Sequence, residues 1–420
     1  MSKLVIYTFA ALIIIFFTTS NILSQESENK PTIEEIKGQV DGIDENVIGL
    51  LTDVSGLKKL KVSGYLQFQW EKTEKSTGFG SSPYDASDYI QSRFRIRRSR
   101  IKVNYNAGLS EVVIQGDYSN EKFTLKDAYL SFTDPWLQYF KFTGGVFNRP
   151  NYEVEYSSSQ RESMERSTVI RTLYPDERDL GFMFTVEPEE LFKLQLAGFN
   201  NTYLGELKQF FGNSNNDPMY YMIRLTKEFA FQDLGLGLDI GAHARLGNLA
   251  ANTNKVIESE NNSSVIDSTS IKKGDKIGRN WFGFEAQLYW DFLGGMKLMG
   301  EYIMGSTTDE MSASSVQTPS PIRKRDFSGF YAMLVKNIGT DFQFVAKYDS
   351  YNPNTKISED NIKSKSDLTT NTFGIGLHNY TFPNVRISLW YDMIMTKTHS
   401  TVLPNDPVDN LLTLRFQYKY

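Results

Sequence analysis

From Lys61 to Tyr420 apolar and polar residues alternate with a period of two, and the pattern is clean at the end of the chain. Leu412, Leu414, Phe416, Tyr418 and Tyr420 are apolar or aromatic, while Thr413, Arg415, Gln417 and Lys419 between them are polar. Such a period puts one face of a strand in an apolar medium and the other in water. The same pattern recurs in Leu234, Leu236, Leu238 and Ile240, in Phe282, Phe284, Ala286, Leu288 and Trp290, in Phe342, Phe344 and Ala346, and in Val385, Ile387, Leu389 and Tyr391. Asp239, His243, Arg245, Glu285, Gln287, Glu301, Lys347, Arg386 and Asp392 then face the other way. A barrel standing in lipid needs this alternation on every strand.

The segments come in pairs, joined alternately by tight and by longer links. The tight links are Asn106-Ala107-Gly108, Asp134-Pro135, Glu187-Pro188-Glu189, Gln232-Asp233, Gly294-Gly295, Asn337-Ile338-Gly339 and Pro383-Asn384, all turn-forming residues. The longer links include Lys72 to Tyr89, Asn148 to Asp176, Asn200 to Asn216, Asn252 to Lys276, Thr307 to Lys324, Tyr351 to Asp367 and Thr398 to Asp409, with one short outer link at Ser119-Asn120. Short turns on one rim and long polar loops on the other predict an all-β fold: a transmembrane antiparallel β-barrel of about sixteen strands over residues 61–420. A barrel of that size encloses an aqueous channel, whereas about eight strands would be filled by their own side chains.

Two segments precede the barrel. Lys3 and the apolar run Leu4 to Phe17, followed by small residues up to Ser24, have the layout of a signal peptide over residues 1–24. The run is short for a spanning helix, which needs about 20 residues. The chain is therefore expected to be exported and to reside in the cell outer membrane. Residues 25–60 carry Ile33, Ile36, Val40, Ile43, Val47, Leu50, Val54 and Leu57 at alternating spacings of three and four. This is a helical coiled-coil seam, and its β-branched residues favour three strands. The alternative is a helix packing on its own barrel. Gly42, Gly49 and Gly56 weaken the helix by about 1 kcal/mol each relative to alanine.

Composition narrows the function classes. Mean hydropathy is −0.38, yet 14% of residues are aromatic, which suits a wet interior between aromatic girdles. A net charge of −5 argues against a nucleic-acid partner. With no cysteine there is neither a thiol nucleophile nor a thiolate metal site. His243, His378 and His399 stand far apart, and no catalytic or metal-binding spacing occurs. No enzymatic activity, no metal and no cofactor are expected.

One strand concentrates positive charge. Arg93, Arg95, Arg97, Arg98, Arg100 and Lys102 lie within ten residues without an anion among them. Up to Arg97 the cations are odd-numbered, and from Arg98 cations and apolar residues exchange parity together. One β-bulge at Arg97–Arg98 accounts for this and turns all six cations toward the lumen. They could form an anion path, or a rigid ladder paired with Asp117, Asp127 and loop carboxylates.

The string Arg95-Ile96-Arg97-Arg98-Ser99-Arg100-Ile101 resembles the arginine-rich second strand of the phosphate-selective porin O and P family. The resemblance continues through Leu125-Lys126-Asp127-Ala128-Tyr129, Gly144 to Pro150, Ser157-Ser158-Ser159, Glu165-Arg166-Ser167 and Pro175 to Gly181. The terminal aromatic Tyr420 also resembles the signature that the barrel-assembly machinery reads in outer-membrane proteins. The resemblance implies a homotrimer of sixteen-stranded channels in outer-membrane lipid. It also implies a third outer loop, Asn148 to Asp176, folded into each lumen. Arg93, Arg95, Arg97, Arg98, Arg100, Asp127, Ser157, Ser158 and Arg166 would then surround the constriction and meet small anionic or polar solutes. Guanidinium forks and serine hydroxyls match an oxyanion. The chain departs from the family in having no lysine on that loop, which carries Glu153, Glu155, Glu162 and Glu165. Its outer loops are charge-balanced, with four residues of each sign in Asn252 to Lys276 and three in Tyr351 to Asp367. A modest anion preference follows, rather than exclusive phosphate passage. A surface receptor or adhesin is the rival reading, and an outer-membrane enzyme a more distant one.

Overall fold

The period-two segments fold as strands of one closed wall. The computed structural model describes residues 59–74, 92–119, 122–174, 177–189, 191–200, 219–250, 256–260, 263–267, 271–272, 275–291, 294–310, 322–362, 364–407 and 409–420. The predicted signal peptide and all but the last two residues of the heptad arm lie outside this set. In chain order the strands are β1 (Leu60–Thr73), β2 (Ser92–Asn106), β3 (Ser110–Ser119), β4 (Lys122–Thr133), β5 (Phe140–Asn148), β6 (Arg178–Val186), β7 (Lys193–Phe199), β8 (Tyr220–Phe231) and β9 (Leu236–Leu246). Then come the loop strands β10 (Asn248–Ala250), β11 (Val256–Glu260), β12 (Ser263–Asp267) and β13 (Lys276–Gly278). The wall resumes with β14 (Asn280–Trp290), β15 (Met296–Glu310), β16 (Ile322–Ile338), β17 (Phe342–Asn352), β18 (Thr370–Asn379), β19 (Val385–Thr396) and β20 (Leu411–Lys419).

Sixteen of these strands pair antiparallel, each with the next, β9 with β14, and β20 back with β1. Closure leaves the wall no free edge. It joins Phe68 to Phe416 and Trp70 to Leu414 in register, and Gly64 and Tyr420 exchange backbone hydrogen bonds of 3.0 Å. All seven predicted tight links fall at the rim where β1 begins and β20 ends, with Asn106 still in β2 and Asn337 and Ile338 still in β16, so that the turn into β17 begins at Gly339. In the Asp134 turn the carboxylate accepts the backbone N–H groups of Phe140, Leu137 and Trp136, which hold the carboxyl below its usual range. At the end of the Gln232–Leu234 turn Gly235 takes the left-handed conformation, φ 58°, which costs glycine little.

Three expectations are corrected. Leu234 lies in that 3-10 turn and not on a strand. The link predicted from Thr307 to Lys324 is shorter, because β15 runs to Glu310 and β16 starts at Ile322, pairing Thr307 with Arg325. Ser306 to Thr308 and Arg323 to Asp326 are polar without a break, so hydropathy stops alternating where the hydrogen-bonded ladder continues. The link Asn252 to Lys276 contains the β11–β12 hairpin, which pairs with the start of β16.

The outer face of the wall is apolar. Phe68, Phe94, Ile96, Phe142, Phe184, Phe282, Phe284, Leu298, Leu377, Leu389 and Phe416 are among its exposed residues. The inner positions carry Arg98, Arg100, Gln115, Arg224, His243, Glu285, Glu301, Lys347, Arg386 and Arg415, all buried.

Candidate functional site: a lumen divided by its inward loop

The link between β5 and β6 folds into the barrel. It contains two short helices, α1 (Tyr152–Glu155) and α2 (Thr168–Leu173). Asn151 starts α1 by accepting the Val154 N–H on its side chain. On one side of the lumen the loop packs as a protein core. Val154, Val169, Ile170, Leu173 and Tyr174 bury against Phe147, Phe199, Tyr220, Met222, Trp281, Ile303 and Phe327 of the wall. The Trp281 indole donates to the Tyr174 hydroxyl at 2.8 Å. At Gly329, on β16, an added Cβ would lie 2.7 Å from Val169, so that glycine lets α2 come close. A second apolar cluster joins Met164 of the loop to Met299, Met333, Val345 and Trp390.

The four loop glutamates are tethers. Glu153 takes Lys347 at 3.0 Å, Glu155 takes Arg224 at 2.7 Å, and Glu162 takes Lys297 at 2.6 Å. Glu165 receives a two-pronged Arg97 fork, both bonds 2.9 Å, and Arg415 at 3.3 Å, with Arg98 at 3.8 Å. Burial pushes the Glu165 carboxyl upward, but Arg97, Arg98 and Arg415 outweigh it and hold it well below its usual range. Wall side chains also bind the loop backbone. Gln417 donates to the Ser159 carbonyl, Arg386 to Arg161, Arg415 to Met164, and His378 bonds the Glu162 carbonyl.

On the remaining side, β1 to β6 and β20 face the loop across polar groups. The register of β1 on β2 pairs Gln67 with Arg98 and Phe68 with Ile96, leaving Arg97 as the extra residue of a β-bulge. Arg93 and Arg95 both bind Glu71. Arg100 binds Asp117 at 3.0 Å and reaches the Ser158 hydroxyl at 3.4 Å. Ser158 also shares a hydrogen bond with the Tyr65 hydroxyl, while Ser157 bonds Ser159. Asp127 binds none of the β2 arginines; it pairs with Arg178 at 2.5 Å. Arg166 clamps the loop itself, donating to the carbonyls of Glu153, Val154 and Tyr156 and to Glu177. Ser158, Arg166, Arg178, Arg100, Lys102 and Tyr65 line one polar cavity of about 250 Å³ between the loop and this wall. Arg93, Arg95, Arg97 and Arg98 do not line it.

Nine arginines (93, 95, 97, 98, 100, 161, 166, 178 and 415) thus share five carboxylates, Glu71, Asp117, Asp127, Glu165 and Glu177. Several partners escaped the sequence reading. Glu71 and Arg415 had a usable signal, since both occupy inward positions of strands already assigned. Glu177 and the loop arginine Arg161 had none, because their roles depend on the path of the loop. The expectation that no metal-ligand set exists meets a structural exception: His243, Glu285 and Glu301 bring one donor atom each within 4.8 Å of one another. They come from three strands, so no sequence spacing reveals them.

No family model and no curated relative matches the sequence. Solved structures do match in fold. The OprB structure from Pseudomonas putida has a TM-score of 0.58 at 11% identity, covering 88% of this chain and 96% of that one. The outer membrane channel DcaP of Acinetobacter baumannii has 0.57 at 10% identity, covering 86% and 97%. The anion-selective porin from Comamonas acidovorans has 0.55 at 9% identity, covering 86% and 99%. The chain therefore has the closed sixteen-stranded barrel fold found in outer-membrane porins and channels.

Proposed function

We propose that this protein is an outer-membrane porin, a water-filled channel for passive diffusion of small solutes with a modest preference for anions. The observation that carries the reading is the polar cavity lined by Arg100, Lys102, Arg166 and Arg178, which lies beside the wall where nine guanidiniums share five carboxylates. In a narrow lumen the nearby charges set the field, because the Debye length is about 8 Å at physiological salt. The global charge of −5 then matters little. Lys102, which lines the cavity, makes no salt bridge among the described residues. The apolar outer face suits a membrane, and the signal-peptide layout of residues 1–24 would direct the chain to the outer one.

The arginines hold carboxylates, so a bound solute would compete for forks already in use. That favours an anion-preferring general pore over the strict phosphate channel that the family resemblance would imply. The phosphate-selective family remains the reading of Arg95 to Gly181, supported by the motifs alone. A homotrimer is part of the proposal, with the heptad segment 25–60 as a three-stranded handle and the barrel-assembly machinery as the insertion partner. Single-channel recording in planar bilayers under a KCl gradient tests the function. Stepwise conductance with a reversal potential on the anion side is expected. A folded β-rich protein that gives no conductance would support the receptor reading instead. Light scattering in mild detergent tests the trimer, and a monomeric mature protein would refute it.

A further inference from the structure

We propose that His243, Glu285 and Glu301 form a divalent-cation site that fixes the inward loop to the far wall of the barrel. The three residues stand on adjacent strands, β9, β14 and β15. Register pairs His243 with Gly283 and places Glu285 directly opposite Glu301. All three point inward and are buried; His243 and Glu301 are each 3% exposed. The imidazole lies over Gly283, where an added Cβ would strike its ring atoms.

The donor set is incomplete as a purely protein network. Neither His243 nitrogen has a hydrogen-bond partner, and Glu301 Oε2 has none. His243 Nδ1 lies 3.6 Å from Glu301 Oε1, too far for a hydrogen bond. Buried polar groups are rarely left so. Like charges directly opposite on a sheet repel. Arg224 is the only cation bound to Glu285 among the described residues, and it is shared with Glu155. Glu285 and Glu155 therefore share one guanidinium, while Glu301, opposite Glu285, has no lysine or arginine partner among the described residues, and a divalent cation would balance the excess. The Tyr331 hydroxyl, opposite Glu301 in the β15–β16 register, is also buried without a partner and offers a further oxygen.

One imidazole and two carboxylates suit Zn²⁺ or Mn²⁺ better than Ca²⁺ or Mg²⁺, which take oxygen alone. Metal–ligand bonds of about 2.0–2.2 Å at the tetrahedral angle put two ligands about 3.3–3.6 Å apart. Donor atoms that lie within 4.8 Å of one another would therefore close in by up to about 1.5 Å on binding, within reach of side-chain rotation. Asn151, the residue that starts α1, donates to Glu301 Oε1. A cation on Glu301 would thus hold the loop through Asn151, opposite the arginine wall.

The test uses full-length protein purified in detergent and stripped with a chelator. Titration with Zn²⁺ or Mn²⁺ should show about one ion per chain and raise the thermal midpoint. His243→Ala and Glu301→Gln should each weaken binding at least tenfold, while His399→Ala, on an outer loop, should bind as the parent does. Stripped parent protein that takes up neither ion stoichiometrically overturns the proposal without recourse to any variant, and leaves a shared proton between the three side chains. Parent-like binding by folded His243→Ala overturns it equally.

Discussion

The two sides of the inward loop are held by different physics. Toward β14 to β17 the loop packs Ile170, Val169 and Tyr174 into an apolar core inside the barrel. Toward β1, β2 and β20 it is held by charge and hydrogen bonds, with Glu165 under Arg97, Arg98 and Arg415 and with Ser158 between Tyr65 and Arg100. Apolar packing excludes water and closes its side. An ionic contact leaves charged groups in place beside a water-accessible cavity. On the proposed channel reading, this difference puts the solute path along the arginine wall, not through the middle of the barrel.

Substitutions on the two sides should separate these contributions. Trypsin cleavage after Arg161 and Arg166 reports how often the loop opens. Trp281→Ala empties the apolar side and should cost about 3–5 kcal/mol, raising cleavage on the order of a hundredfold or more at any salt concentration. Glu165→Gln strands several buried guanidiniums and should cost about 3 kcal/mol. Its anion preference should rise at the same time, since a carboxylate leaves the cationic wall. Equal effects of the two substitutions on selectivity would erase the distinction between the sides. Gly329→Ala sets a methyl against Val169 and should cost about 1–3 kcal/mol, with no change of selectivity.

The smallest effect is a control away from the loop. Asp409 sits in the outer link before β20, where burial and then Asp406 push its carboxyl up to about 7. A raised acid favours the protonated folded state, so its contribution is greatest below the unfolded value near 4 and is lost as pH rises to about 7. Asp409→Asn should flatten that slope and raise the neutral-pH midpoint by about 1–3 °C. It should leave loop cleavage unchanged. A steeper slope in the variant would reverse the assignment.

Much of the wall was legible in the sequence, because period-two patterning depends only on which medium each face meets. Phe282 and Phe284 outside with Glu285 and Gln287 inside needed no partner to be read. The bulge at Arg97 was legible for the same reason, since a one-residue slip reverses parity. The interior was harder. Trp281, Ile303 and Phe327 break the rule that inward positions are polar, because they face another piece of protein and not water. The loop glutamates read from sequence as charges opposing an anion path, and only their cross-lumen partners, Lys347, Arg224, Lys297 and Arg97, give them a tethering role. Partners so distant along the chain leave no local pattern.

The chain has no cysteine, so single cysteines can report the solute path directly. Lys102→Cys places a thiol at the polar cavity, and Ile303→Cys places one in the apolar core. Each channel is recorded in a planar bilayer while a negatively charged methanethiosulfonate is added. If solute passes along the arginine wall, current through Lys102→Cys falls on modification and current through Ile303→Cys does not change. Block at Ile303→Cys with none at Lys102→Cys would place the path on the other side of the loop and contradict the account.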